Sequence, residues 1–449
     1  MKRTLATLTA TSLAALLGLP AIASADTYVI MANANKLDNG LRHQIEAAGG
    51  QVRSYLPQID VAIVDSDDPN FAAAAGAISG INTVVADMVI EYDIPEPVAT
   101  FSVDELAANP PNSGDDDAFF DLQWGHDAVD APEAWDLGYR GAGAVVAVLD
   151  SGIDAEHPDI APNLNVGLSA SFVPGEDFNV QPGFYFNHGT HVAGTIAAAD
   201  NGVGVIGVAP EAELIAVKVL SEFTGSGSFA SIIEGIVYAA DVGADVINMS
   251  LGADIPHNAP GAAALFVATG RATTYAYQNG VTVLAAAGND GRDLDHDSSL
   301  KSFPAELPHV IAISATAPNG WALDPANTNL DNLASYSNYG QSAIGFAGPG
   351  GDFAFPGDDV CNGPVLTLPC FVFDLVLSSI SEGWSFSAGT SMATPHAAGV
   401  AALIIGANGG DMSPAHVEQA LRHGADDLGK PGNDDIFGQG RVNALGSLE

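Results

Sequence analysis

The sequence predicts an α/β protein: a parallel β-sheet covered by helices on both faces, with a small α+β unit ahead of it. Three observations carry that expectation. From about Leu122 onward, short strand-like runs alternate with helical stretches. Those runs are apolar throughout, as strands buried on both faces must be. The chain of 449 residues holds 50 glycines and only 7% aromatic residues, a small-residue composition suited to one large compact domain and a smaller one.

The amino terminus stands outside that fold. Met1-Lys2-Arg3 is basic, LAALLGLPAIA is apolar, and Ala23-Ser24-Ala25 is an exit of the A-x-A kind. Residues 1–25 therefore read as a secretory signal peptide cut after Ala25, too short in its apolar part for a membrane anchor. Export makes Cys361 and Cys370 of CNGPVLTLPC a disulfide candidate, since neither sits among histidines at zinc spacing.

Residues 26–94 form the small unit. TYVIMA reads as a strand and LRHQIEAAGG as a helix. VRSYLPQIDVAIVDS reads as two strands around a proline, DPNFAAAAGAISG as a helix opened by Asp68 or Pro69, and INTVVADMVIEYD as one last strand. That β-α-β-β-α-β order is ferredoxin-like. Residues 95–121, rich in Pro, Asn, Gly and Asp, are an exposed, cleavable linker.

In residues 122–449 the strands are AVVAVLD, ELIAVKVL, DVINMSL, VTVLAAA and VIAISA, and between them HVAGTIAAAD, SIIEGIVYAADVG and residues 261–278 read as helices. In such a fold ligands sit beyond the carboxyl ends of the strands.

Charge narrows the function. Thirteen Lys plus Arg against 54 Asp plus Glu give a net charge of −41. That coat repels nucleic acid and anionic membranes and excludes a phosphate-backbone binder.

Three segments can carry chemistry. Asp150 ends the strand in VAVLDSGID, where it is either a site carboxylate or an ordinary Asp-Gly turn. In NHGTHVAGTIAA, His188 falls on the loop before a helix and suits proton transfer, whereas His191 reads as a packed helix residue. The Glu that a zinc-peptidase helix requires is missing. In SFSAGTSMATPHAAGVAAL, Ser391 opens an apolar helix. It is either a plain N-cap or a nucleophile whose own N–H faces a developing oxyanion, with Gly389 admitting a substrate backbone. The order G-T-S-M-A is not the G-x-S-x-G of an esterase elbow. GVGVIG has dinucleotide-loop spacing but follows a helix and leads into a strand, the reverse of the required context.

Together, Asp150, His188 and Ser391 follow in the order Asp, His, Ser. VAVLDSGIDAEHPD, HGTHVAGTIAA and GTSMATPHAAGVAAL resemble the three catalytic blocks of the subtilisin-family serine peptidases, the subtilases. The likeness runs from about Leu122 to the carboxyl terminus and more loosely over 26–94, which resembles the family's inhibitory propeptide.

The resemblance implies a subtilisin-like three-layer fold and a secreted endopeptidase, made as a self-processing zymogen and acting as a monomer on protein or peptide substrates. Asp150 would orient His188, His188 would be general base and acid, Ser391 the nucleophile, and Asn289 of AAAGND the oxyanion-hole amide. Gly225, Ser226 and Gly227 would pair with an extended peptide, opposite Ser250, Leu251 and Gly252 beside the primary pocket. The loop NGVGV would bind structural Ca2+ through the side chains of Asp159 and Asn201 and the carbonyls of Val203 and Val205, its N-terminal ligand left unplaced. The unit 26–94 would block the cleft from within, and no membrane or nucleic acid would be a partner.

Three further segments carry smaller expectations. Asp293, Asp295 and Asp297 lack the Gly and Glu of an EF-hand and read as a solvated acidic loop. Residues 350–375 look longer than the family's loop and could rim the cleft. Asp290 could draw basic side chains toward the primary pocket.

Overall fold

The computed structural model describes residues 26–92, 98–101, 115–181, 187–357, 359–363 and 366–449. The proposed signal peptide and most of the linker lie outside the described residues.

The small unit contains β1 (Asp26–Ala32), α1 (Asn39–Ala47), β2 (Gln51–Leu56), β3 (Val61–Ser66), α2 (Phe71–Gly76) and β4 (Ile81–Ala86). Its sheet is antiparallel in the order β2-β3-β1-β4, the ferredoxin-like arrangement expected. α2 is N-capped by Asn70, not by Asp68 or Pro69; the Asp68 carboxylate instead accepts the Asn70 N–H.

The expected last strand breaks in two. β4 stays in the unit, while β5 (Val89–Glu91) leaves it to pair antiparallel with β10 (Ser226–Ser228) of the large body. Asp87 sits at the break. Its carboxylate accepts the N–H groups of Met88 and of Ala230, and so holds both sides of the seam.

β6 (Val98–Phe101) follows, and then the body. Its first helices are α3 (Trp124–Ala128) and α4 (Ala131–Asp136). β7 (Val145–Asp150), β8 (Ala170–Ser171), α5 (His188–Ala197), β9 (Glu213–Lys218), β10, α6 (Phe229–Asp241) and β11 (Val246–Met249) come next. β12 (Ala253–Pro256), α7 (Ala262–Gln278), β13 (Thr282–Ala286), β14 (Leu300–Phe303), β15 (Val310–Ala317), β16 (Asn332–Leu333) and β17 (Ile344–Pro349) continue the alternation. β18 (Val360–Asn362), β19 (Thr367–Pro369), β20 (Val376–Ile380) and β21 (Gly383–Ser387) precede α8 (Thr390–Ala407), α9 (Pro414–Gly424) and α10 (Ala444–Leu448).

The main sheet runs β16-β15-β13-β11-β7-β9-β8, with β17 also on β15. Every pairing in it is parallel except β15 with β16. α5 and α8 fill one face, sharing a core with Val146, Val148, Leu214 and Leu284. α6 and α7 fill the other with Ala147, Leu149, Ile215 and Val283. The alternation along β7 shows why its run is apolar throughout: each successive side chain enters a different core. α8 is long and apolar enough to cross a membrane, but 89% of that stretch is buried inside the protein, which makes it the body's central core helix.

Cys361 and Cys370 are joined by a disulfide across the β18–β19 hairpin. The turn after it is pinned inward: the Asp374 carboxylate accepts the N–H groups of Gly320 and Trp321, both at 2.7 Å. None of the described residues of 350–375 lines the pocket beside Ser391, so the segment does not rim it there.

Candidate active site

β7, α5 and α8 meet at the carboxyl edge of the main sheet. Asp150 is the last residue of β7, and His188 is the first residue of α5 rather than a loop residue before it. His188 Nδ1 lies 2.9 Å from each oxygen of the Asp150 carboxylate. A carboxylate only accepts, so Nδ1 carries the proton and Nε2 is the basic nitrogen.

Local chemistry explains why the two elements come so close. Asn187 caps α5 by accepting the Thr190 N–H at 2.6 Å. A Cβ on Gly189 would collide with the Gly152 carbonyl oxygen, so only glycine lets α5 reach β7. Ser151 then joins them: its hydroxyl accepts the Gly189 N–H at 3.1 Å, and its carbonyl accepts the buried Lys218 ammonium at 2.8 Å. His191, one turn on, faces the Val376 and Ser385 carbonyls, and burial pushes its pKa down to about 3. It is the packed histidine expected.

Ser391 lies in the first turn of α8 and is locked to Ser250. Its hydroxyl donates to the Ser250 carbonyl at 3.0 Å, and the Ser250 hydroxyl donates to the Ser391 carbonyl at 2.8 Å. Pro395 makes the second bond possible. In an α-helix the residue 395 N–H would bond the residue 391 carbonyl; proline has none, and that acceptor is released to Ser250. The awkward proline in an apolar core helix thus serves the residue four positions before it.

Asn289 follows β13. Its side-chain oxygen accepts both the N–H and the hydroxyl of Thr390, each at 2.9 Å, which turns its NH2 end away from Thr390. The Thr390 hydroxyl in turn accepts the Gly288 N–H at 3.1 Å. Asn338, absent from the sequence expectations, holds this loop from behind by accepting from Asp290 and Arg292 and donating to the Ala287 carbonyl. No sequence signal marked it, because its partners are backbone groups about fifty residues away.

A pocket of about 30 Å3 opens beside Ser391 between Gly252, Ala253, Gly288 and Asn289, with Asp254 and Asp290 also on its wall. Asp254 is ion-paired with Arg292. Of the expected 250–252 wall, Ser250 and Leu251 are buried and Gly252 lines the pocket. Gly225 precedes β10, which holds Ser226 and Gly227, and the chain's own β5 pairs with it. Ser226 pairs with Glu91 and Gly227 with Ile90, and Tyr92 N–H approaches the Gly225 carbonyl at 3.4 Å.

The 199–205 loop follows the carboxyl end of α5. Asp159 accepts the Trp384 indole N–H at 2.7 Å and the Val205 N–H at 3.1 Å; Asn201 lies 3.5 Å from it and accepts the Val203 N–H at 2.8 Å. Asp117 closes the loop from the chain's amino side, its Oδ1 accepting the Val203 N–H at 2.9 Å. The other Asp117 oxygen is buried with no hydrogen-bond partner. Burial together with Asp115 pushes Asp117 up to about 9, and burial pushes Asp159 up to about 7. Asp115, Asp116 and Asp200 stand nearby. Hard oxygen donors, one of them an orphaned buried carboxylate oxygen, fit a divalent cation. The acidic run 293–297 is self-satisfied: Asp293 pairs with His296 and Asp297 with Arg292.

A parallel-sheet body with a carboxylate–imidazole pair and a helix-start serine at one sheet edge has the makings of a serine hydrolase. The chain matches the Subtilase family over residues 141–440. It is 41% identical over 323 residues to M-protease of Shouchella clausii (strain KSM-K16), covering 72% of this chain and 69% of that one. It is 40% identical over 323 residues to Subtilisin Savinase of Lederbergia lenta, covering 72% and 97%. Among solved structures it resembles the epidermin leader peptide processing serine protease (EpiP) from Staphylococcus aureus, with a TM-score of 0.74 and 21% identity over 95% of this chain and 98% of that one; this likeness speaks for the fold. The chain belongs to the subtilase family and is a serine endopeptidase.

Proposed function

We propose that the chain is the precursor of a secreted endopeptidase that cuts itself free of its leader at a bond between about Asp93 and Phe120 and works through Asp150, His188 and Ser391. The observation that carries this reading is the imidazole of His188 held at 2.9 Å from both oxygens of Asp150, at the sheet edge where α8 presents Ser391.

In the first step the Ser391 hydroxyl leaves the Ser250 carbonyl, passes its proton to His188 Nε2 and attacks a peptide carbonyl carbon. Asp150 holds the tautomer and stabilises the imidazolium. The oxyanion is met by the Asn289 NH2, which Thr390 orients, and by the Ser391 N–H at the start of α8. The imidazolium gives its proton to the leaving amine. His188 then takes a proton from water as its oxygen attacks the acyl carbon, and returns that proton to Ser391 Oγ as the acyl–Oγ bond breaks.

Substrate would lie as an added strand between residues 225–227 and 250–252. In the precursor β5 takes that place, supporting the small unit as an internal inhibitor. Ca2+, held by Asp159 and Asn201 with the Val203 and Val205 carbonyls and Asp117 as the added N-terminal ligand, would tie down the 199–205 loop. Secretion rests on residues 1–25.

Intact mass after secretion tests the proposal. Wild type should lose its leader at a bond after Tyr92, while Ser391→Ala should stay whole and lose at least about 10⁴-fold in peptide hydrolysis. Identical cutting of both proteins would remove self-processing; full hydrolysis by the variant would remove Ser391 as nucleophile.

A further inference from the structure

β21 ends four residues before Ser391. All five of its residues are buried. One edge pairs with β20, and the other is covered by β6, antiparallel, with Val98 opposite Phe386 and Phe101 opposite Trp384. The Ser385 hydroxyl donates to the Val98 carbonyl at 3.2 Å, and Val98 and Ala99 pack half-buried against the body's main core. β6 pairs with no other strand in that three-stranded sheet.

One leader therefore uses two strand edges in sequence: β5 lies on β10, and β6 lies on β21. The six steps from Tyr92 to Val98 span at most about 20 Å of extended chain. The crossing from one edge to the other is therefore short. β21 cannot do without a partner. Its outward N–H and C=O groups belong to a buried strand, and once β6 departs they need a new strand or water.

We propose that β21 is a second substrate-binding edge, which takes the leaving-group side of an extended polypeptide in the manner of β6. This rests on the self-processing endopeptidase reading and deepens it: the preferred substrate is a long unfolded segment, gripped through its backbone on both sides of the cut. Trp384 and Phe386 are fully buried. Recognition at this edge is thus by main-chain pairing and the Ser385 hydroxyl, and tolerates many side chains.

The test uses internally quenched peptides with one common sequence before the scissile bond and one to nine residues after it, nine being the distance from Tyr92 to Phe101. With matured enzyme lacking β6, kcat/KM should rise about tenfold as the extension reaches β21. N-methylation of the far amides should cancel the rise, and Ser385→Ala should lower the long-to-short ratio. A rate indifferent to length, or unaffected by N-methylation, overturns the proposal while the endopeptidase reading stands. No hydrolysis of any peptide would instead sink that reading, and this inference with it.

A second measurement needs no maturation. In the Ser391→Ala precursor, Ala99→Pro should displace β6 and speed amide exchange in β21, and an added peptide of residues 96–104 should slow it again. Unchanged exchange on displacement, or no recovery with peptide, counts against the edge.

Discussion

The two largest sheets of this molecule are sealed in different ways. The body's sheet is covered on both faces by its own helices, α5 and α8 on one side and α6 and α7 on the other. The small unit's sheet owns only one cover. Tyr28, Ile30 and Ala32 of β1 face α1 and α2, whereas Val29, Met31, Val61 and Ile63 share a core with α6 and α7 of the body. The body can keep its core when the unit leaves, but the unit cannot keep its own. On the proposed precursor reading, a leader that folds only against its enzyme would unfold, and become digestible, once displaced.

The sharpest way to break that contrast is to express residues 26–92 alone. Exposing four buried apolar side chains costs about 6–12 kcal/mol, close to the whole stability of a small domain. Circular dichroism should show little fixed structure, regained on adding the Ser391→Ala body. A cooperatively folded isolated unit would overturn the comparison.

Acid should act on the body. Burial holds His126, His157, His191 and His396 below the ordinary histidine value, His396 down to about 4. Below about pH 6.5 the unfolded chain takes up protons that the folded body refuses until the folded values are reached. Stability is thus lost as pH falls through that window, on the order of 3 kcal/mol for His396 alone by pH 4. Melting of the matured enzyme from pH 7 to 4 should decline steadily, and a flat profile would contradict the burial of these imidazoles.

Chelation should also act on the body. At calcium a hundredfold above its Kd, removal costs about 2.7 kcal/mol, seen as a melting shift of several degrees. Asp159→Asn should melt low with or without chelator. A variant that still responds would place the ion elsewhere.

The smallest effect lies in the seam. Glu234 of α6 accepts from Ser54 and from Arg53 at 2.9 Å, and burial raises its carboxyl although Arg53 opposes. Glu234→Gln keeps the shape and loses the charge. With Arg53 partly solvated, the change should weaken inhibition by the separate unit about fivefold. An unchanged inhibition constant would assign docking wholly to the apolar face.

The sequence by itself determined the element order, the parallel sheet, the position of Asp150 at a strand end and of Ser391 at a helix start. It did so because local periodicity and turn residues report burial and chain direction. Its resemblance to the subtilases pointed to the 201–205 loop with Asp159 beside it and to residues 225–227. It could not show that β5 would leave its own sheet, that Thr390 would orient Asn289, or that Pro395 frees the Ser391 carbonyl for Ser250. Asn338, Lys218, Asp117 and the β6–β21 edge were equally out of reach. Each of these depends on a hydrogen bond or a strand pairing between groups that chain order leaves unconnected. Such partners are chosen by how the layers close over one another, and only the tertiary structure decides that.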